Sequence, residues 1–153
     1  MSAETSKALV ANFVDHKSIA IVGVSRNPRK FGNMAYHELK ARGYRVFPIN
    51  RTLDRIDDHV CYSNLKSLPE KVDGVLIVVP PKETEQVVRE ADAAGIKRVW
   101  MQQGSESNAA VDYCHQHGID EVHGECILMF AEPVKSYHKF HRACMWLFRK
   151  LPG

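Results

Sequence analysis

The chain has no C-x-x-C pair, and no spacing among Cys61, Cys114, Cys126 and Cys144 suggests a zinc site. Free thiols in a reducing cytoplasm are the simplest expectation. No apolar run approaches the roughly 20 residues that a membrane span needs. The N-terminus shows no basic segment followed by an apolar core, so no signal peptide is expected. Charge of one sign is also lacking: 21 basic residues against 18 acidic ones give +3. That is too little to indicate nucleic acid. Catalytic constellations are equally scarce. There is no Ser-His-Asp arrangement, and Glu125 and Glu132 are too isolated to form a carboxylate pair. The dinucleotide fingerprint G-x-G-x-x-G is missing as well.

What remains is a chain of 153 residues, 44% hydrophobic and 25% charged. These values fit one globular domain over residues 1–153 with a full core. Four short runs rich in Val and Ile read as buried strands: Ile19–Val24, Val46–Ile49, Val75–Val79 and Val99–Met101. A weaker fifth lies near Ile119–Val122. Helical patterns cover Asn33–Arg42, Glu83–Ala94 and Ser107–His117, and each ends at a glycine: Gly43, Gly95 or Gly118. Glycine past a helix end supplies the left-handed conformation at little cost. Strand and helix alternate over about 30 residues per unit, which indicates βαβ crossovers. The expected fold class is α/β: a Rossmann-like, doubly wound, mainly parallel five-stranded sheet with helices on both faces.

Two further helices flank this unit. One lies within residues 1–16, around Thr5–Asp15, and packs on one face. The other, within residues 133–151, opens at Pro133 and repeats Val134, Tyr137, Phe140, Cys144, Leu147 and Leu151 at steps of three or four. Such a stripe suits packing on the domain, a homo-oligomer interface, or a membrane-surface helix. Asn50–Pro69 reads as an irregular connection with one short helix.

The first strand leads into "VGVSRNPRKFG". Gly23 permits a tight turn, and Ser25 stands where a second glycine is usual. Arg26, Arg29 and Lys30 add charge before Gly32. Backbone N–H groups at such a turn and at the following helix N-terminus favour phosphate. From Arg26 to Arg55 there are eight basic residues, opposed by Glu38 and Asp54 alone. Such a stretch is either an attractor for an anionic ligand or a solvated basic face. The second strand ends "FPINRT". An acid at that place would bind the ribose hydroxyls of NAD, but Asn50 and Arg51 stand there. A ligand with an extra phosphate on the adenosine ribose is favoured, either NADP or coenzyme A. The third strand ends "VVPP", where Val79, Pro80 and Pro81 suit an apolar wall along a pantetheine arm or serve as turn punctuation.

Together, "VGVSRNPRKFG", "VFPIN", "VLIVVPP" and "VWMQQG" resemble the small CoA-binding proteins. They are similar to the nucleotide-binding domain of the succinyl-CoA synthetase α subunit and of ADP-forming acyl-CoA synthetases. The resemblance covers roughly Lys17 to Cys126. It implies a CoA or acyl-CoA site lined by Gly23, Val24, Ser25, Arg26, Lys30, Phe31, Asn50, Arg51, Val79, Pro80, Pro81 and Gln103. Those larger ligases also use an ATP-grasp domain and a phosphorylated histidine on another domain, for which 153 residues leave no room. Binding or sensing of CoA without catalysis is therefore the leading expectation. A small NADP-dependent oxidoreductase and a ligand-free interaction protein stay open beside it.

Three residue groups keep two readings each. His123 is either a structural residue at a strand end or a catalytic one. Cys126 is either an inert core thiol or a partner for a mixed disulfide with the CoA thiol. His138, His141 and Cys144 share one helix face, as packing residues or as incomplete metal ligands.

Overall fold

The structure is a computed structural model that describes residues 3–131. The stripe expected at 133–151, with its oligomer and metal readings, lies outside the described residues. Helix α1 spans Ala3–Asp15. Then come β1 (Ser18–Val22), α2 (Phe31–Ala41) and β2 (Arg45–Ile49). A small hairpin follows, β3 (Arg55–Ile56) with β4 (His59–Val60), then a single 3-10 turn at Leu65–Ser67. The remaining units are β5 (Gly74–Ile77), α3 (Pro81–Ala93), β6 (Arg98–Met101), α4 (Asn108–Gln116) and β7 (Asp120–His123). A second 3-10 turn, Ile127–Met129, covers one face.

The main sheet has five strands in the order β2-β1-β5-β6-β7, and every pairing in it is parallel. Alternation along the strands feeds two cores. Ile19 and Ile21 point to the face covered by Phe13 of α1 and by Ala35, Tyr36 and Leu39 of α2. Ala20, Val75, Ile77, Val99 and Met101 point to the opposite face, under Val87, Val88 and Ala91 of α3 and Cys114 of α4. Trp100 is fully buried, and its ring meets Phe13 edge-on at 5.5 Å. Truncating a buried aromatic of this kind costs about 3–5 kcal/mol. The α/β class, the five strands and the helices on both faces match the sequence expectation.

The differences lie at element ends. β1 stops at Val22 because Gly23 takes φ +126 and turns the chain out of the sheet. Val24 then packs in the core outside any strand. β5 stops at Ile77, because Pro80 and Pro81 start α3 directly, with Pro81 at its first position. Proline fits there since that N–H has no helical partner in any case. Helix α2 begins two residues before the expected Asn33, so Gly32 is inside its first turn. The hairpin at Arg55–Val60 was not anticipated. Its turn places Asp57 at φ +51, a conformation that aspartate tolerates better than most residues.

Candidate ligand site at the strand switch point

The chain leaves β1 for β2 on one side and later returns to β5 on the other. The crevice between the C-terminal ends of β1 and β5 is therefore the topological switch point, where open α/β sheets hold ligands. The loop from Gly23 to Lys30 and the segment from Val78 to Pro81 meet there. Contact is close enough to require glycine. A Cβ on Gly23 would lie 2.0 Å from the Val78 carbonyl oxygen, and one on Gly32 would lie 2.4 Å from the Gly23 carbonyl oxygen. These two glycines let the N-terminus of α2 sit directly against the end of β1.

The turn itself is internally bonded. The Ser25 N–H donates to Asn33 Oδ1 (2.8 Å), and Asn33 Nδ2 donates back to the Ser25 carbonyl (2.7 Å). The Asn27 N–H donates to Ser25 Oγ at 3.1 Å, and the Arg29 N–H to Asn27 Oδ1 at 3.0 Å. The sequence reading offered the turn's own N–H groups and the Ser25 hydroxyl to a phosphate. Instead, the N–H groups of Ser25, Asn27 and Arg29 are engaged within the turn, and the hydroxyl accepts from one of them. Of the turn's remaining N–H groups, that of Arg26 meets no acceptor among the described residues, and further open donors belong to α2. Its N-cap, Lys30, makes no side-chain capping bond, and its first turn holds no acid. The N–H groups of Phe31 and Gly32 meet no acceptor among the described residues. Orphan donors and the helix dipole both favour an anion there. Arg26, Arg29 and Lys30 are exposed, and none forms an ion pair among the described residues.

The other expected residues fall into two groups. Val24 and Phe31 are core residues, 2% and 6% exposed, so they shape the turn from beneath. Asn50 reaches the same turn: its Nδ2 donates to the Val24 carbonyl at 2.8 Å. Its Oδ1 accepts from the N–H groups of Thr52 (2.9 Å) and Leu53 (3.0 Å). Arg51 points the other way. Its side chain is 76% exposed, with a guanidinium nitrogen 3.6 Å from Glu90 of α3. Val79 is half-buried and Pro80 exposed on the β5 side of the crevice. The Gln103 N–H donates to the Glu125 carbonyl at 3.2 Å, which ties the loop after β6 to the loop after β7.

Several polar residues that organise this edge carried no sequence signal. Asn33 is 4% exposed and Thr84 fully buried. The Thr84 hydroxyl donates to the Ser105 carbonyl and so links α3 to the loop after β6. Gln102, also buried, accepts from the Ile127 N–H at 3.2 Å. His123 has a structural partner: its Nδ1 lies 2.7 Å from Oε2 of the buried Glu121, whose other oxygen is 3.3 Å from Nε2 of His115. Cys126 is 5% exposed within the core, which disfavours thiol exchange. The Cys114 thiol is pushed up to about 12 by burial first, then by the carboxylates of Glu121 and Asp92. Among the described residues, no group of three His, Cys, Asp or Glu side chains could hold a metal ion. No described helix is long and apolar enough to cross a membrane.

The family model described as a CoA binding domain matches residues 17–132. The chain belongs to the CoA binding domain family. Beyond the family model, the chain is similar to an ADP-forming acetate–CoA ligase II subunit alpha of Pyrococcus furiosus. The two are 28% identical over 126 residues, covering 75% of this chain and 28% of the ligase subunit. A solved structure of a conserved hypothetical protein from Pyrococcus furiosus superposes with a TM-score of 0.69 at 40% identity. The match covers 72% of this chain and 96% of that one. The apo form of a dinucleotide-forming acetyl-coenzyme A synthetase 1 from Ca. Korarchaeum cryptofilum gives a TM-score of 0.63 at 27% identity, covering 73% of this chain and 27% of that one. This CoA binding domain thus spans about a quarter of the length of the ligase and synthetase chains that it resembles.

Proposed function

We propose that the chain binds coenzyme A, or an acyl-CoA, at the switch point between β1 and β5. It acts there as a binding or sensing module without ligase chemistry of its own, and it works in the cytoplasm. The observation that carries this reading is the N-terminus of α2. It has no capping side chain, no acid in its first turn and three cations just before it, and it lies within the span of the family match. In this reading the pyrophosphate rests on the Phe31 and Gly32 N–H groups beside Lys30. Gly23 lets the turn lie against Val78, and Val79, Pro80, Pro81 and Gln103 border the pantetheine arm. Ser25, Val24, Asn50 and Phe31 hold the turn in shape. The ribose 3′-phosphate falls to Arg51, whose surface pair with Glu90 is weak enough to exchange, or to Arg26.

Titration of CoA, NADP and NAD by calorimetry in one buffer tests the reading. CoA is expected to bind most tightly. Tighter binding of NADP would favour the oxidoreductase alternative, since β2 ends without an acid in both cases. Dephospho-CoA is expected to bind about tenfold to a hundredfold more weakly than CoA, the worth of a charge-assisted bond of about 1.5–3 kcal/mol. The preference is expected to shrink in Arg51→Ala. If it persists there and shrinks in Arg26→Ala, the phosphate belongs to Arg26.

A further inference from the structure

Two amide side chains grip the carbonyl groups of the turn that faces the α2 N-terminus. Asn50 Nδ2 donates to the Val24 carbonyl at 2.8 Å, and Asn33 Nδ2 donates to the Ser25 carbonyl at 2.7 Å. Neither amide can be turned around. Reversing Asn33 would set its NH2 against the Ser25 N–H, which now donates to Oδ1 at 2.8 Å. Reversing Asn50 would set its NH2 against the N–H groups of Thr52 and Leu53. Each site therefore needs one donor and one acceptor on a short planar group, a requirement that asparagine meets and aspartate does not. Carbonyl oxygens beside an anion are repulsive. Here two consecutive ones are held by N–H donors while the neighbouring α2 donors stay open.

We propose that Asn33 and Asn50 are positioning residues. They hold the Val24 and Ser25 carbonyls by hydrogen bonds and thereby fix the polarity of the phosphate-binding turn. The role rests on the CoA reading above. It also changes the meaning of Asn50. At the place where NAD proteins put a ribose-binding acid, this chain has an amide whose polar atoms are engaged with its own backbone. An acid at that place would lose the donor to Val24 and add negative charge beside the anion.

The test uses Asn33→Ala, Asn33→Asp and Asn50→Asp, with CoA and inorganic pyrophosphate as probes. Affinities are measured at low and high salt, alongside thermal melts and hydrogen exchange of the Ser25 amide in the ligand-free protein. Asn33→Asp keeps the acceptor for the Ser25 N–H, so that amide is expected to stay protected while affinity for both probes falls about tenfold to a hundredfold. The loss is expected to shrink as salt rises. Asn33→Ala is expected to expose the Ser25 amide to exchange and weaken binding less than the aspartate does. A purely structural role would instead make affinity follow exchange and melting temperature. Folded Asp variants that bind both probes as tightly as wild type would overturn the positioning role alone. A wild-type protein that binds neither probe would overturn the ligand reading and this role with it. If Asn33→Asp does not fold, Asn50→Asp at the half-buried Asn50 carries the comparison, with exchange read at the Leu53 amide that its retained oxygen accepts from.

Discussion

The two flanks of the switch point are built from the same βα unit but finished differently. On the β1 flank, α2 starts with no capping side chain and no acid in its first turn, and its approach to the strand depends on Gly23 and Gly32. On the β5 flank, α3 also lacks a capping side chain, but it opens on Pro80 and Pro81 and carries Glu83 in its first turn. One unit further on, α4 caps itself, with Ser107 accepting from the Ala110 N–H. Surface charges divide in the same way. Arg89 pairs with Glu85 at 2.7 Å and Lys97 with Asp92, both acids lying on α3. Arg26, Arg29 and Lys30 on the other flank have no acidic partner among the described residues. The start of α3 carries an acid of its own, whereas the start of α2 carries cations alone. A parallel sheet sets several helix N-termini at one edge, and end chemistry decides which of them accepts an anion.

The strongest way to break this contrast is to remove the close approach on the β1 flank. Gly23→Ala forces a side chain into the Val78 carbonyl at positive φ. It is expected to cost about 3 kcal/mol or more, or to prevent folding. Gly95→Ala on the other flank also has positive φ, but its Cβ would meet nothing within 4 Å. A loss of about 1 kcal/mol is expected there. Denaturant titration of both variants measures the difference.

Charge reversal at the open helix end comes next. Lys30→Glu places an acid at the N-cap of α2 and is expected to weaken CoA about tenfold to a hundredfold, with the fold intact. The mirror change, Glu83→Lys in the first turn of α3, is expected to leave CoA affinity within about threefold. Calorimetry on the pair would sink the contrast if the two shifts were equal.

Ser107→Ala sharpens the comparison from the stability side. Losing the cap of α4 is expected to cost about 1 kcal/mol, read by denaturant midpoint, without a change in CoA affinity. The smallest effect is expected at Asp92. Its carboxyl is held below the usual carboxylate range, first by the Lys97 hydrogen bond and then by that of Tyr113. A lowered folded-state value means that the stabilisation is complete above the ordinary carboxylate range. It is lost as pH falls through the lowered one. Tyr113→Phe should flatten that acid-side loss slightly in melts run from neutral to acidic pH, and leave neutral-pH binding unchanged.

Much of the fold was legible because its signals are local and redundant. Val- and Ile-rich runs mark strands, and Gly43, Gly95 and Gly118 mark helix ends. Element boundaries were less legible at Gly23 and Pro80, where one residue decides whether an apolar run continues as strand. Val24 and Val79 have the right composition for a strand but lie past the turn. At the site, the cation-rich turn and the missing acid after β2 could be read directly. Asn33 could not, since an asparagine in the first helical turn has no pattern that distinguishes a solvated residue from one buried against Ser25. The direction of Arg51 was equally invisible, because its partner Glu90 is distant in sequence and is supplied by α3.

Arg42 closes α2 at the end away from the candidate site. Its side chain is 2% exposed. It donates from Nη1 to the Leu128 carbonyl at 2.9 Å and the Ala131 carbonyl at 2.7 Å, and from Nε to Glu38 at 2.9 Å. The last described strand ends at His123, yet a chain cut there would leave a buried cation without the Leu128 and Ala131 carbonyls. Removing the partners of such a charge costs far more than losing an exposed contact. The unit that must fold together therefore reaches past the edge of the sheet, to include the Leu128 and Ala131 carbonyls that solvate this guanidinium.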